Sequence, residues 1–404
     1  MVRIAKWLGL FVFLLGIGWH RGVARVGIGM MLASLPLFSR EFYKYIRSDV
    51  SSAIALAWIV FCLAYGILEH DRYEEQLKTA LRLAYLGGFF VVGFYLSLNE
   101  RHIERLLLFA LFGFFLNILF HLDEFLSSGE KWWKHSYHFG FNNRGGLGLY
   151  SAAALWGAIC FFQRFRPWVA LILCLFLFEC LLLSHSRSAW LAMAPLLLGV
   201  LVFYRKNPWA YALMGVVGLL LVLQSAEFLS RVTAESSTYE TLAHGSLPNP
   251  IESPGREKSV AIRLWMYLHG LKLWLQHPIL GWGPDATPAL IRTTFPEEFP
   301  RFNDLHSVPV ELLVRFGVVG FPLYWAMVAI VLFAGYQGYR KNLISREVYL
   351  FCIGALWIYL VFGIFGFRLR NDDWRYYWFL IAGLLTCWQA RAAFPVTGKD
   401  HFRR

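Results

Sequence analysis

The stretch VYLFCIGALWIYLVFGIFGF, residues 348–367, contains no charged residue over a length that can cross a bilayer. About 20 apolar residues in a helix span a hydrocarbon core roughly 30 Å thick. The rest of the chain is similar, because 58% of its 404 residues are hydrophobic and 16% are charged, whereas soluble domains are about 45–50% apolar and about 25% charged. The sequence therefore predicts an integral membrane protein.

Further segments of comparable apolar character lie on both sides of this stretch. The predicted spans are 7–19, 22–38, 51–68, 79–98, 104–122, 148–164, 167–184, 189–204, 208–224, 317–338, 348–367 and 376–392. We predict an all-α polytopic membrane protein with about 12 transmembrane helices. Residues 1–224 would carry helices 1–9, residues 225–305 one large polar segment, and residues 306–404 helices 10–12.

The basic residues set the expected orientation. Lysine and arginine are more frequent in the loops that are cytoplasmic when both termini are cytoplasmic, so 225–305 is expected on the outer face. The net charge of +12 therefore indicates topology and contact with anionic lipids, and not nucleic-acid binding. The 6 cysteines fall within predicted spans as small apolar residues, which gives no indication of a disulfide framework.

The polar segment contains a helix with a polar stripe. Residues 234–258, AESSTYETLAHGSLPNPIESPGREK, are too polar to form a core and suggest a mobile lid. Residues 259–276 predict an amphipathic helix on which Arg263, Tyr267 and Gly270 follow one another at i, i+4 and i+7. Such a helix either presents Arg263 to a cavity or lies at the interface with its arginine reaching lipid phosphate.

A histidine stands before the next span. The glycines and proline of HPILGWGPD, 277–285, predict a tight turn. In RFNDLHSVPVELLVRFGVVG, 301–320, Asn303 or Asp304 is a candidate helix cap, with His306 in the first turn. The positive end of the helix dipole disfavours a protonated imidazole there, so His306 is a candidate proton acceptor. Glu311 is a candidate to orient that imidazole.

Arginines gather in the predicted outer loops, where guanidinium groups would suit a phosphate-bearing ligand. Arg187 lies in the short turn after the seventh span; solvated loop tips and headgroup-anchoring turns are the alternative interpretation. Glu179, within that span, indicates either a structural ion pair or a functional carboxylate. Further candidate residues in these loops are Asn142, Asn143, Arg144, Arg368, Arg370, Asp372, Asp373 and Arg375.

Metal and nucleotide motifs are missing from the sequence. It contains no D-x-D, no H-E-x-x-H and no G-x-x-x-x-G-K-[ST]. We therefore expect no metal and no cofactor, and arginines would have to carry charge that develops on a departing phosphate.

Three segments in this order resemble the O-antigen ligase and polymerase superfamily: SHSRSAW (184–190), AIRLWMYLHGLKLWLQHPILGWG (261–283) and LHSVPVELLVRFGVVG (305–320). The length, the span count and the single large outer segment are most similar to the O-antigen ligases that complete lipopolysaccharide. The resemblance implies a GT-C-like membrane enzyme in the bacterial inner membrane, with a periplasmic active site.

The resemblance also implies an activity: metal-independent, inverting transfer of O-antigen from undecaprenyl pyrophosphate to a sugar hydroxyl of lipid A-core. By match to the family's motifs, His306, Arg187 and Arg263 are the expected catalytic residues. The expected substrate-binding residues are Asn142, Asn143, Arg144, Glu311, Asp372, Asp373 and Arg375. The expected partners are the donor, the acceptor and membrane lipids, with no nucleic acid.

Other functions stay open at this point. An O-antigen polymerase or a protein O-oligosaccharyltransferase of the same superfamily would share the donor and the base and differ in the acceptor. A transporter of lipid-linked glycans with 12 spans is a candidate from a different class, although transporters of the major-facilitator type carry a long loop between spans six and seven, and here that connection is very short. The oligomeric state and the identity of the glycan are not readable from the sequence.

Overall fold

The computed structural model describes residues 2–68, 73–99, 102–127, 137, 139, 141, 144–203, 211, 215, 244, 258–295, 302–366, 369 and 371–389. Within these residues the chain is helical, with short 3-10 turns and no strand. The helices are α1 (Val2–Trp19), α2 (Arg21–Ser34), α3 (Ser39–Ser48), α4 (Val50–Leu68), α5 (Tyr73–Ala84), α6 (Phe89–Leu98), α7 (Ile103–Phe120), α8 (Leu122–Leu126), α9 (Arg144–Cys160), α10 (Pro167–Leu183), α11 (Arg187–Phe203), α12 (Lys258–Gln276), α13 (Ala286–Thr294), α14 (Val308–Arg340), α15 (Arg346–Phe365) and α16 (Asp372–Thr386).

Many of these helices are long and apolar enough to cross a membrane. Six stretches meet that requirement in full: Arg21–Ser48, Val50–Leu68, Glu74–Leu98, Ile103–Phe120, Val308–Arg340 and Arg346–Phe365. Shorter apolar helices are Trp7–Trp19, Gly145–Cys160, Pro167–Leu183 and Arg187–Val200. The protein is thus a multi-pass membrane protein, as predicted, and it is all-helical over the residues that the structure describes.

The finer divisions of the predicted topology stay predictions. Each predicted span coincides at least in part with a described helix, apart from 208–224, most of which lies outside the described residues. The predicted lid, 234–258, also lies almost entirely outside them. The count of about 12 spans and the treatment of 225–305 as one outer segment are therefore untested.

Glycines allow the first helices to approach backbone to backbone. A Cβ at Gly16 of α1 would overlap the backbone of Ala24 in α2, and a Cβ at Gly27 of α2 would overlap Phe13. Small residues at helix contacts provide packing where lipid and protein are equally apolar and the hydrophobic effect does little.

The directions of the later helices bring several helix ends together. Trp156 near the end of α9 donates to the oxygen of Leu350 near the start of α15 (2.9 Å), so these helices are antiparallel. The start of α9 contacts the start of α11, because a Cβ at Gly148 would lie 2.6 Å from Cβ of Ser186. Tyr150 of α9 also donates to the oxygen of Asp373 in α16 (2.7 Å). The starts of α9, α11 and α16 and the end of α15 therefore share one end of the bundle, called here the site end.

Candidate active site

His306 lies in a turn before α14, and not within its first turn as predicted. Its φ angle is 54°, and the helix cap is Ser307 with extended backbone, so the prediction of Asn303 or Asp304 as the cap is wrong. Few residues other than glycine adopt a positive φ, and where they do the surrounding structure has to hold them.

Asp304 orients the imidazole. Nδ1 of His306 lies 2.7 Å from Oδ1 of Asp304, and the backbone N–H of His306 donates to the same oxygen at 3.0 Å. Because an ionised carboxylate only accepts, Nδ1 is the nitrogen that donates to Asp304, and in the neutral ring Nε2 carries the lone pair. Burial raises the pKa of Asp304, but the hydrogen bonds and charge of His306 outweigh burial, and the resulting pKa lies below its ordinary value. The carboxylate is thus ionised at neutral pH.

Glu311, which the sequence suggested as the orienting group, holds the backbone instead. Its side chain is fully buried. Oε2 accepts from the backbone N–H of Leu305 at 2.8 Å, and Oε1 accepts from Nε of Arg315 at 2.6 Å. Arg315 also donates to the oxygen of Pro284. The buried pair therefore fixes the residue just before His306 and connects it to the loop after α12.

Arg315 is a residue of the site that the sequence did not predict. Its position four residues after Glu311 was the available signal, because such pairs meet on one helix face. Breaking a buried pair by removing one partner leaves an uncompensated charge, which costs about 3–5 kcal/mol. The Glu311–Arg315 pair therefore holds the turn that carries His306 firmly against α14.

The loop after α12 replaces helical hydrogen bonds in α14. Gly317 interrupts the helix at φ 55° and ψ −158°, a region of backbone conformation that is essentially restricted to glycine. Four hydrogen bonds to the loop replace those that the interruption removes: Trp282 N–H to Val314 O (2.8 Å), Gly283 N–H to Arg315 O (3.1 Å), Val318 N–H to Pro278 O (2.9 Å) and Val319 N–H to Ile279 O (3.2 Å). Val314 O, Arg315 O and the N–H groups of Val318 and Val319 thus find partners in the loop, as buried backbone requires.

The glycines of this loop are needed for close approach. Gly281 has φ 78°, and a Cβ there would lie 2.5 Å from the carbonyl carbon of Arg315. A Cβ at Gly317 would overlap the backbone oxygen of Ile279. The HPILGWG segment and residues 314–319 of α14, with Gly317 among them, therefore form one interlocked unit next to the His306 turn.

Helix α12 brings Arg263 to the same place. The hydroxyl of Tyr267, one turn after Arg263, is shared between the oxygens of His306 (3.1 Å) and Ile364 (3.0 Å). Burial raises the pKa of Tyr267 to about 12, while the charge of Arg263 acts to lower it and that of Asp304 to raise it further. Gly270 packs against α14, since a Cβ there would lie 2.6 Å from Val310. The predicted stripe of Arg263, Tyr267 and Gly270 therefore faces the His306 turn.

Arg187 starts α11 at the site end and is exposed. Helices α11 and α15 are antiparallel neighbours, because Trp357 donates to the oxygen of Ala192 at 3.0 Å. The end of α15 carries Ile364, whose oxygen lies beside Tyr267. Arg187 therefore lies at the same end of the bundle as His306 and Arg263, and α15 contacts both α11 and Tyr267 of α12.

The predicted acidic residues of α16 form contacts within the protein. The carboxylate of Asp372 pairs with both Arg25 of α2 and Arg375, and Arg375 donates to the oxygen of Arg82 at 3.1 Å. These contacts connect α16 to α2 and α5. Asp373 lies beside α9, where its backbone oxygen accepts from Tyr150.

The structure gives less information on the remaining predicted polar residues. Asn142 and Asn143 lie outside the described residues, and Arg144 begins α9. Oε1 of Glu179 is buried in α10 without a hydrogen-bond partner among the described residues. In that part of the chain no group of three or more His, Cys, Asp or Glu residues could hold a metal ion.

Comparison with known proteins matches residues 172–325 to the family model described as O-antigen ligase. The matched region contains Arg187, Arg263 and His306, and it ends before Asp372. A search for similar curated proteins returned no match.

Proposed function

We propose that the chain is an O-antigen ligase, because residues 172–325 match the O-antigen ligase family model, and the ligases and polymerases of that superfamily are glycosyltransferase-like. It would transfer a glycan from undecaprenyl pyrophosphate to a sugar hydroxyl of lipid A-core. The observation that carries the proposal is the His306 imidazole, held through Nδ1 by Asp304 (2.7 Å) beside the helix that bears Arg263.

His306 acts as the general base. Its Nε2 takes the proton of the acceptor hydroxyl as that oxygen attacks the anomeric carbon from the face opposite the diphosphate. The new glycosidic C–O bond forms while the bond to the diphosphate oxygen breaks, and that oxygen keeps the electron pair. The configuration of the anomeric carbon is therefore inverted.

Asp304 is a positioning residue in this scheme. It holds the tautomer in which Nε2 can accept, and it stabilises the imidazolium that forms after proton transfer, as a carboxylate does beside a catalytic histidine in other enzymes. The fixed turn contributes as well, because a base held in place needs no reorganisation at the moment of reaction.

Arg187 and Arg263 bind the departing diphosphate. Guanidinium groups keep their charge at any working pH and match phosphate oxygens in pairs. Their place at the site end, on two helices that both contact α15, suits a ligand that bridges them. Asn142, Asn143, Arg144, Asp373 and the Asp372–Arg375 pair remain proposed contacts to the substrates.

The test is transfer by purified protein in detergent, with a lipid-linked O-antigen donor and lipid A-core. His306→Ala should lower the rate about 10²- to 10⁴-fold, the usual contribution of a general base. His269→Ala is the matched control, because that histidine on α12 bonds Thr294 at 3.0 Å outside the site.

Each product of this assay has a distinct meaning. Glycan on lipid A-core supports the ligase, whereas longer glycan on the lipid carrier indicates a polymerase. Wild-type rates for His306→Ala would remove the base from the scheme. A protein that turns over nothing in detergent but moves the donor across a vesicle membrane is a transporter.

A further inference from the structure

A cavity of about 250 Å³ lies between α1, α7, α9, α15 and α16. A single water needs only about 10–15 Å³ of such space. The lining includes none of Arg263, Tyr267, Asp304 and His306. Leu108, 47% exposed, is among its lining residues, so the cavity opens on the outer surface of the bundle.

The walls of this cavity are mostly apolar. Small residues of two helices make the space, and aromatic rings close it: Ala110, Ala153, Ala154, Gly157, Phe114 and Phe351. The hydroxyls that reach the wall are already engaged, since Tyr150 donates to Asp373 O (2.7 Å) and Tyr377 donates to Ala355 O (2.8 Å). A sugar would lose its hydrogen bonds to water there without replacement, whereas an alkyl chain would lose nothing.

The length of the cavity matches one membrane leaflet. Its lining extends from Tyr150 in α9 to Phe161 directly after that helix, which at about 1.5 Å per residue is about 17 Å. Half of a hydrocarbon core of roughly 30 Å is about 15 Å. One acyl chain therefore fits along the cavity.

Positive charge stands at one mouth. Arg105 and Arg164 line the cavity with Glu104, and Glu104 pairs with Arg164 at 3.1 Å, which leaves a net positive charge. This mouth is at the start of α7 and the end of α9, opposite the site end. A diphosphate-linked donor reacting near His306 has its charge at the other end, so the occupant is a different lipid.

We propose that this cavity binds one acyl chain of an anionic membrane phospholipid, whose phosphate lies against Arg105 and Arg164. The site is separate from the transfer reaction. Bound lipid would fill a space between five helices that protein side chains leave open, and would thereby stabilise their packing.

Native mass spectrometry of the full chain tests the proposal, with phosphatidylglycerol or phosphatidylcholine of equal chain length added to delipidated protein. Wild-type protein should retain one phosphatidylglycerol and bind it at least tenfold more tightly than phosphatidylcholine. Ala154→Phe, which fills the cavity, should lose both lipids. The double variant Arg105→Gln, Arg164→Gln should bind both lipids equally.

Matched controls separate these effects from damage to the fold. Ala194→Phe adds the same ring at an exposed position of α11 outside the cavity, and Arg166→Gln removes an arginine that does not line it; both should bind as wild type. Ala110→Phe fills the cavity from the opposite wall should Ala154→Phe fail to fold. Retention of phosphatidylglycerol by a folded filled variant, or an equal preference for both lipids in wild-type protein, overturns the proposal.

Discussion

At the scale of single residues, the imidazole of His306 is held by two contacts to Asp304, one from its ring and one from its own backbone. The carboxylate contributes both a hydrogen bond and a charge. A hydrogen bond to a charged group contributes about 1.5–3 kcal/mol, against about 1 kcal/mol for a neutral one. The two contributions can be separated by substitution.

Asp304→Asn should lower kcat about tenfold, because the amide oxygen can still accept from Nδ1 but the stabilising charge is lost. Asp304→Ala should lower kcat about 100-fold, because the ring is then free to turn. KM should change little in both variants. Initial rates over a range of acceptor concentrations measure this order.

Asn303→Ala is the control for these variants, since Asn303 is exposed in the same turn. It should keep wild-type kcat. Equal kcat for Asp304→Ala and wild type would show that the turn alone orients the imidazole.

The two arginines are predicted to act through the shape of the guanidinium group. Arg187→Lys and Arg263→Lys keep the charge but lose the paired donors, so each should lower kcat/KM about 10- to 100-fold. Arg292→Lys in α13 is the control, because its Nε bonds the backbone of Pro288 outside the site. Unchanged turnover in Arg187→Lys would mean that this residue anchors lipid and does not bind the diphosphate.

At the scale of elements, the exchange of hydrogen bonds between α14 and the preceding loop keeps the site rigid. Gly317→Ala forces a side chain into a glycine-only conformation and into the backbone of Ile279. The variant should lose about 2 kcal/mol or more of unfolding free energy. Gly29→Ala is the control, because nothing lies within 4 Å of a Cβ there. The thermal unfolding midpoints of the two variants are measured in detergent. Equal midpoints would show that the contact between α14 and the preceding loop does not contribute to stability.

The same element shows why sequence reasoning reached only part of the site. Arg263, Tyr267 and Gly270 were predicted to share a face because helical periodicity is local, and that face meets α14. Helical spacing extended back to His306 predicts Glu311 as the orienting group. The helix begins only after Ser307, so His306 lies outside it. The residue that contacts the imidazole is Asp304, two residues before His306 in the chain. The backbone hydrogen bonds between α14 and residues 278–283 form because the two segments lie close together in the fold. Spacing along the chain does not predict that contact.

At the scale of the whole molecule, charge is unevenly distributed between the two ends. The end opposite the site carries many exposed basic residues in its short connections: Arg40, Arg47, Arg105, Arg164, Arg166, Arg340, Lys341 and Arg346. Such clusters favour the cytoplasmic side of a membrane. The site end would then face away from the cytoplasm.

Cysteine labelling in spheroplasts tests this orientation. Asn303→Cys places a thiol in the exposed turn of His306, and Asn342→Cys places one in the exposed loop between α14 and α15. All six native cysteines are buried, so their labelling should be low. A membrane-impermeant maleimide should label Asn303→Cys at once and Asn342→Cys only after permeabilisation. The reverse labelling pattern would place His306 in the cytoplasm, away from any acceptor in the outer leaflet. The ligase proposal would then be wrong.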